Sequence, residues 1–151
     1  MADDYAGRVA GQAQPSQPAQ RRVYGYPVRP PYQSENEYFS KNRNVGGMAA
    51  DDGAITLNPY SPLSAAELES VARNEAARLY MREQGSNFDF ELTPQQKQMF
   101  AGTPYGAPGN ESHAKASIIA RALSGDPSAG ELTPEQQAWV SRIAPQLRAR
   151  Q

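Results

Sequence analysis

The stretch Ser61 to Gly85 constrains the fold of this chain more than any other. Ser64 stands where a helix N-cap belongs, and Glu67 follows three residues later, where its carboxylate can reach back to the cap amide. Leu63 and Leu68 occupy the two positions of a hydrophobic staple. Leu68, Ala72, Ala76 and Leu79 then recur at helical spacing, with Val71 and Tyr80 at the edges of the stripe. Glu69 precedes Arg73 by one helical turn and Glu75 faces Arg78, which gives the opposite side weak ion pairs in water. Gly85 supplies the left-handed stop.

After Gly85 the sequence carries an internal echo. Glu91-Leu-Thr-Pro-Gln-Gln96 returns as Glu131-Leu-Thr-Pro-Glu-Gln136. In each copy a threonine caps, a proline takes the first helical position and a glutamine closes a capping box. Two copies of one capping phrase are too few for a repeat array, so they read as convergent helix starts. Gly102 to Gly109 is a loop by local rules. Asn110 or Ser112 caps a further helix that runs to Leu123 or Ser124 and stops at Gly125-Asp-Pro127. Pro145 ends or kinks the last helix, and Trp139 is expected in the core against the Leu68, Ala72 and Leu79 stripe.

The first half of the chain reads differently. Residues 1 to about 22 are rich in Ala, Gln, Gly, Pro and Ser and cannot bury enough apolar surface to offset their ordering entropy. Pro27, Pro30 and Pro31 then bias the backbone to extended conformations, with tyrosines interleaved. Residues 34–60 show no helical period. Asp52-Gly53 signals a turn, and Ala54 to Leu57 forms an isolated extended segment or a minimal bridge to residues 48–51. The expected fold is therefore all-α: a small bundle of three to four short helices over residues 61–151, preceded by a long, extended, mostly irregular N-terminal arm over residues 1–60. Tyr24, Tyr26, Val28, Tyr32, Tyr38 and Phe39 are the expected partner-binding residues of that arm, because tyrosine brings apolar area together with a hydroxyl that a wet interface satisfies. Deleting residues 1–45 is then expected to leave a folded helical domain.

No catalytic, cofactor or metal constellation emerges. The chain has no cysteine and one histidine, His113, so thiolate chemistry, disulfides and zinc–thiolate sites are excluded. Asp51-Asp52-Gly53 lacks the alternating acids and distal glutamate of a calcium loop and reads as a turn. The net charge of −1 gives no field for nucleic acid or an acidic membrane, and Arg21, Arg22, Arg29, Lys41 and Arg43 are too sparse to track a phosphate backbone. No apolar run is long enough to cross a membrane, and the acidic Met-Ala-Asp-Asp start does not read as a secretory signal.

Four phrases, Gly46-Gly-Met-Ala-Ala-Asp-Asp-Gly53, Leu57-Asn-Pro-Tyr-Ser61, Val71-Ala-Arg-Asn-Glu-Ala-Ala-Arg78 and Ser124-Gly-Asp-Pro127, resemble small proteins of tailed bacteriophages, of the short-tailed kind. The likeness spans about residues 46 to 143 and brings no functional residues with it. It implies a phage gene product and a non-enzymatic structural role in the virion. Such a chain is expected as a head–tail connector, tail or capsid accessory protein, made in the host cytoplasm and held in many symmetric copies on portal, tail or capsid subunits. The alternative from another class is a cytoplasmic adaptor or regulator that binds a host protein.

Overall fold

The computed structural model describes residues 20–85 and 87–150. The expectation of a structureless segment over residues 1–22 falls almost wholly outside them. The fold is mixed α/β rather than all-α. Among the described residues, two antiparallel two-stranded sheets, β1 (Arg22–Val23) with β2 (Tyr26–Pro27) and β3 (Gly47–Ala49) with β4 (Ile55–Leu57), join five α-helices. The helices are α1 (Gln33–Lys41), α2 (Ala65–Glu83), α3 (Pro94–Phe100), α4 (Glu111–Leu123) and α5 (Pro134–Arg148).

The expected arm is thus folded from Arg22 onward, and local and tertiary causes combine. Tyr24 and Gly25 both take positive φ (51° and 82°), the backbone of a two-residue hairpin turn that matches strand twist. Tyr24 is held there from the far end of the chain, where Arg150 Nε donates to its carbonyl at 2.9 Å. The hairpin buries Val23 and Tyr26, and a bridge between Val28 and Ile55 ties it to β4. Arg29 then clamps two elements: its guanidinium meets Glu35 at 2.8 and 3.0 Å and Asp52 at 3.0 and 3.3 Å. Glu35 also accepts from the Tyr32 amide at 2.8 Å, which starts α1 where the hydrophobic pattern shows no helix. The carboxyls of Glu35 and Asp52 are both held below the usual range, with Arg29 the leading cause.

The second hairpin packs on α2. A Cβ on Gly46 would lie 2.8 Å from Val71 Cγ2, and one on Gly47 would lie 2.9 Å from the Thr56 carbonyl oxygen. These glycines let a strand approach the helix more closely than any side chain allows. Asn58, 2% exposed, staples the loop before β3 to the exit of β4: its amide donates to the carbonyls of Asn42 and Val45 and accepts from the Tyr60 amide.

α2 runs from the expected cap. Ser64 Oγ accepts from the Glu67 amide at 3.2 Å, Glu67 accepts from the Ser64 amide at 2.9 Å, and Gly85 takes φ 63°. Its stripe of Ala72, Ala76, Ala77, Leu79, Tyr80 and Met81 is buried, with Leu68 and Val71 half-covered. Ile118 and Ile119 of α4 and Ile143 and Leu147 of α5 close the same core. Glu69 finds Arg21 as its ion-pair partner.

The forty-residue echo has a tertiary basis. Thr93 and Thr133 cap as expected, with Gln96 and Gln136 closing both boxes. The two glutamines, 3% and 0% exposed, face each other and exchange two amide hydrogen bonds of 2.8 Å each. The starts of α3 and α5 are therefore joined head to head. One expectation fails nearby and another fails in part. Trp139 is only half-buried: its ring packs on Phe88 at 4.9 Å and its Nε1 donates to Asp89 at 3.1 Å. Of the two outcomes expected at Pro145, the end is excluded: the proline lies inside α5, which continues to Arg148.

Candidate functional site: an arginine-lined groove

Glu75, Arg78 and Arg82 fall at three- and four-residue intervals, which places them along one stripe of α2 beside its buried face. That stripe is the floor of a groove of about 510 Å³. One wall is Tyr38 of α1 with Met48 and Ala49 of β3. The other is Met99 and Phe100 of α3, Tyr105 of the 3-10 turn Pro104–Gly106, and His113 and Arg121 of α4. A second cavity of about 290 Å³ adjoins it and shares Arg78, Arg82 and His113.

The three guanidiniums are positioned by neutral groups. Arg78 donates to the Tyr105 hydroxyl at 2.6 Å and lies 3.2 Å from His113 Nδ1. Arg82 donates to the carbonyls of Ala50 and Ala49, each at 3.2 Å. Arg121 Nη1 reaches Met99 Sδ at 3.0 Å and Ser128 Oγ at 3.4 Å. Among the described residues none of the three is within ion-pair distance of a carboxylate. A guanidinium has five N–H donors, so each keeps donors for a ligand. Among the described residues the one acid in the lining is Glu75. Burial pushes its carboxyl up to about 7, against the pull of Arg78, the Ala49 amide and Arg82. The groove thus concentrates positive charge on a chain whose net charge is −1.

The arrangement suits holding an anionic group. Among the described residues no group of three or more His, Cys, Asp or Glu side chains stands together as a metal site, and no helix is long and apolar enough to cross a membrane.

The six residues expected to bind a partner are scattered by the fold. Phe39 is fully buried and Tyr26 is 3% exposed, its hydroxyl donating to Glu83 at 2.8 Å. Tyr24 and Val28 are half-covered within the first hairpin. Tyr32 and Tyr38 remain exposed, at 57% and 45%, and of these Tyr38 stands on the groove wall. The sequence signal for the groove was the Glu75, Arg78 and Arg82 stripe, which reads as an ordinary wet helix face until the other wall is known. Arg121 and Tyr105 carry no local signal at all. No protein-family model, curated protein or solved structure matches the chain.

Proposed function

We propose that this chain is a non-enzymatic structural protein of a tailed-bacteriophage particle, docked in symmetric copies on other virion subunits. The likeness of its four sequence phrases to small phage proteins supports the phage assignment. The observation that carries a docking role is the groove. Three arginines held by neutral partners, beside the exposed Tyr38, form a surface with unspent hydrogen-bonding capacity and apolar area. The attachment surface in this reading is the groove and its rim, in place of an extended arm. Portal, tail and capsid subunits are the partner class.

The test is quantitative mass spectrometry of purified particles from the phage that encodes the chain. A fixed copy number relative to the major capsid protein is the expected result. Its absence from particles, together with its recovery on a host protein, would establish the adaptor class instead.

A further inference from the structure

We propose that the groove binds an extended, acidic segment of a partner protein, with carboxylates at alternate positions seated on Arg78 and Arg82 and a third acid within reach of Arg121. The inference rests on the docking role above and names the chemistry of the occupant.

The geometry of α2 sets the register. Arg78 and Arg82 are four residues apart on one helix, a rise of roughly 6 Å. Side chains on one side of an extended chain repeat every two residues, roughly 6.4–6.8 Å. Two acids in an i, i+2 relation therefore match the spacing of the two residues along α2, one guanidinium leaning to Tyr105 and the other to the carbonyls of Ala49 and Ala50. A guanidinium presents paired N–H groups to a carboxylate, and such pairs are strongest where water is partly excluded. Arg121 approaches from the opposite wall on α4, so the segment is gripped from two sides.

Length points the same way. The main cavity and its neighbour share Arg78, Arg82 and His113, so the arginines stand where two hollows meet, in a groove longer than a single carboxylate needs. Tyr38, 45% exposed, and Met99, 37% exposed, offer apolar contact beside the charges. A nucleic acid fits less well. Phosphate tracking uses many cations along one face, and here three arginines share the groove with Glu75.

The experiment uses the full chain and a fluorescein-labelled, amidated peptide of sequence Glu-Val-Glu-Val-Glu. Its isosteric control is Gln-Val-Gln-Val-Gln, and inorganic phosphate and a ten-nucleotide oligothymidylate serve as competitors. The acidic peptide is expected to bind at least about tenfold more tightly than the glutamine peptide and to weaken as salt rises. Arg78→Gln, Arg82→Gln and Arg121→Gln should each weaken it by about tenfold. Amide shifts on the wild-type protein should map to Ala49, Arg82 and His113 and spare α5, so the outcome does not depend on any variant folding. Equal binding of both peptides, no binding, or binding that leaves those amides unmoved overturns the proposal. Tighter binding of oligothymidylate makes the groove a nucleic-acid site, and displacement by millimolar phosphate makes it a phosphate site; either also overturns it. The outcome is separable from the virion assignment. A protein present at fixed copy number in particles but indifferent to the acidic peptide refutes this inference alone.

Discussion

Replacing Gln136 by leucine tests whether the two matching helix starts form one energetic unit. The Gln136 amide makes four hydrogen bonds. Its Nε2 donates to Gln96 Oε1 at 2.8 Å and to the Glu91 carbonyl at 3.2 Å, and its Oε1 accepts from Gln96 Nε2 at 2.8 Å and from the Thr133 amide at 3.1 Å. Leucine fills similar space and removes all four. The half-covered cap at Thr133 can take water, but the Gln96 amide, 3% exposed, and the Glu91 carbonyl lose buried partners. A buried polar group left unpaired costs about 1–3 kcal/mol, so the expected loss is about 2–5 kcal/mol once the burial of leucine offsets part of it. Gln96→Leu should cost less, about 1–3 kcal/mol, because Gln136 keeps Thr133 and Glu91. The double variant should be more stable than the sum of the two losses by at least about 1 kcal/mol, since neither amide then waits for a missing partner. Urea unfolding of the four proteins closes the cycle. Additive effects within about 0.5 kcal/mol, or a Gln136→Leu loss below that figure, would refute the coupling.

Other substitutions test the packing and the groove. Gly47→Ala drives a Cβ to 2.9 Å from the Thr56 carbonyl oxygen of the paired strand β4 and should cost about 1–3 kcal/mol, read as a lowered Tm; an unchanged Tm would mean that the β3–β4 hairpin can shift to admit the methyl group. Thr56 is fully buried and its Oγ1 has no partner among the described residues, so Thr56→Val should gain about 1 kcal/mol in urea unfolding, and a loss would reveal a bond to the hydroxyl. Glu75, pushed up from 4.5 to about 7, keeps its proton in the folded chain over a range where the unfolded chain has lost it. Stability should therefore fall as pH rises through that window, with a penalty of up to roughly 3 kcal/mol standing in full above pH 7. Glu75→Gln should flatten that slope and stabilise the protein at pH 8, and an unaltered pH profile would rule it out. Deleting residues 1–45 removes buried Val23, Tyr26 and Phe39 and should abolish cooperative unfolding; a sharp transition in the truncated protein would restore the reading of an independent helical domain.

Helix starts were legible because their causes are local. Ser64 with Glu67, Thr93 with Gln96 and Thr133 with Gln136 each complete a capping box within four residues, and all three helices begin there. The first half of the chain was not legible for the converse reason. The turn at Tyr24-Gly25 is secured by Arg150, 126 residues away. α1 carries only Tyr38 and Phe39 as large apolar residues, too few for a period, and its start depends on Arg29 bracing Glu35. Prolines at 27, 30 and 31 pointed to an extended arm, yet Pro27 sits in a two-residue strand and Pro30 and Pro31 only deliver the chain to α1. The groove was not legible: Glu75 and Arg78 showed only as a surface pair, and the walls that turn their stripe into a site come from Tyr38, Met48 and Ala49 upstream and from Met99 to Arg121 downstream.

The four phrases on which the proposed phage assignment rests each hold a residue that closes a tertiary contact. Gly46 and Gly47 admit β3 against Val71. Asn58 locks both ends of the second hairpin. Asn74 of α2 hydrogen-bonds Ser124 and Asp126, so the third and fourth phrases touch each other where α4 ends. Such residues serve packing, and that part is separate from the chemistry of the groove. Of the groove's charged groups, Glu75 and Arg78 lie inside the third phrase, whereas Arg82 and Arg121 lie outside all four, as does Tyr105. The proposed acidic partner therefore depends on Arg82 and Arg121 for charge, and on Tyr105 as the neutral group that holds Arg78.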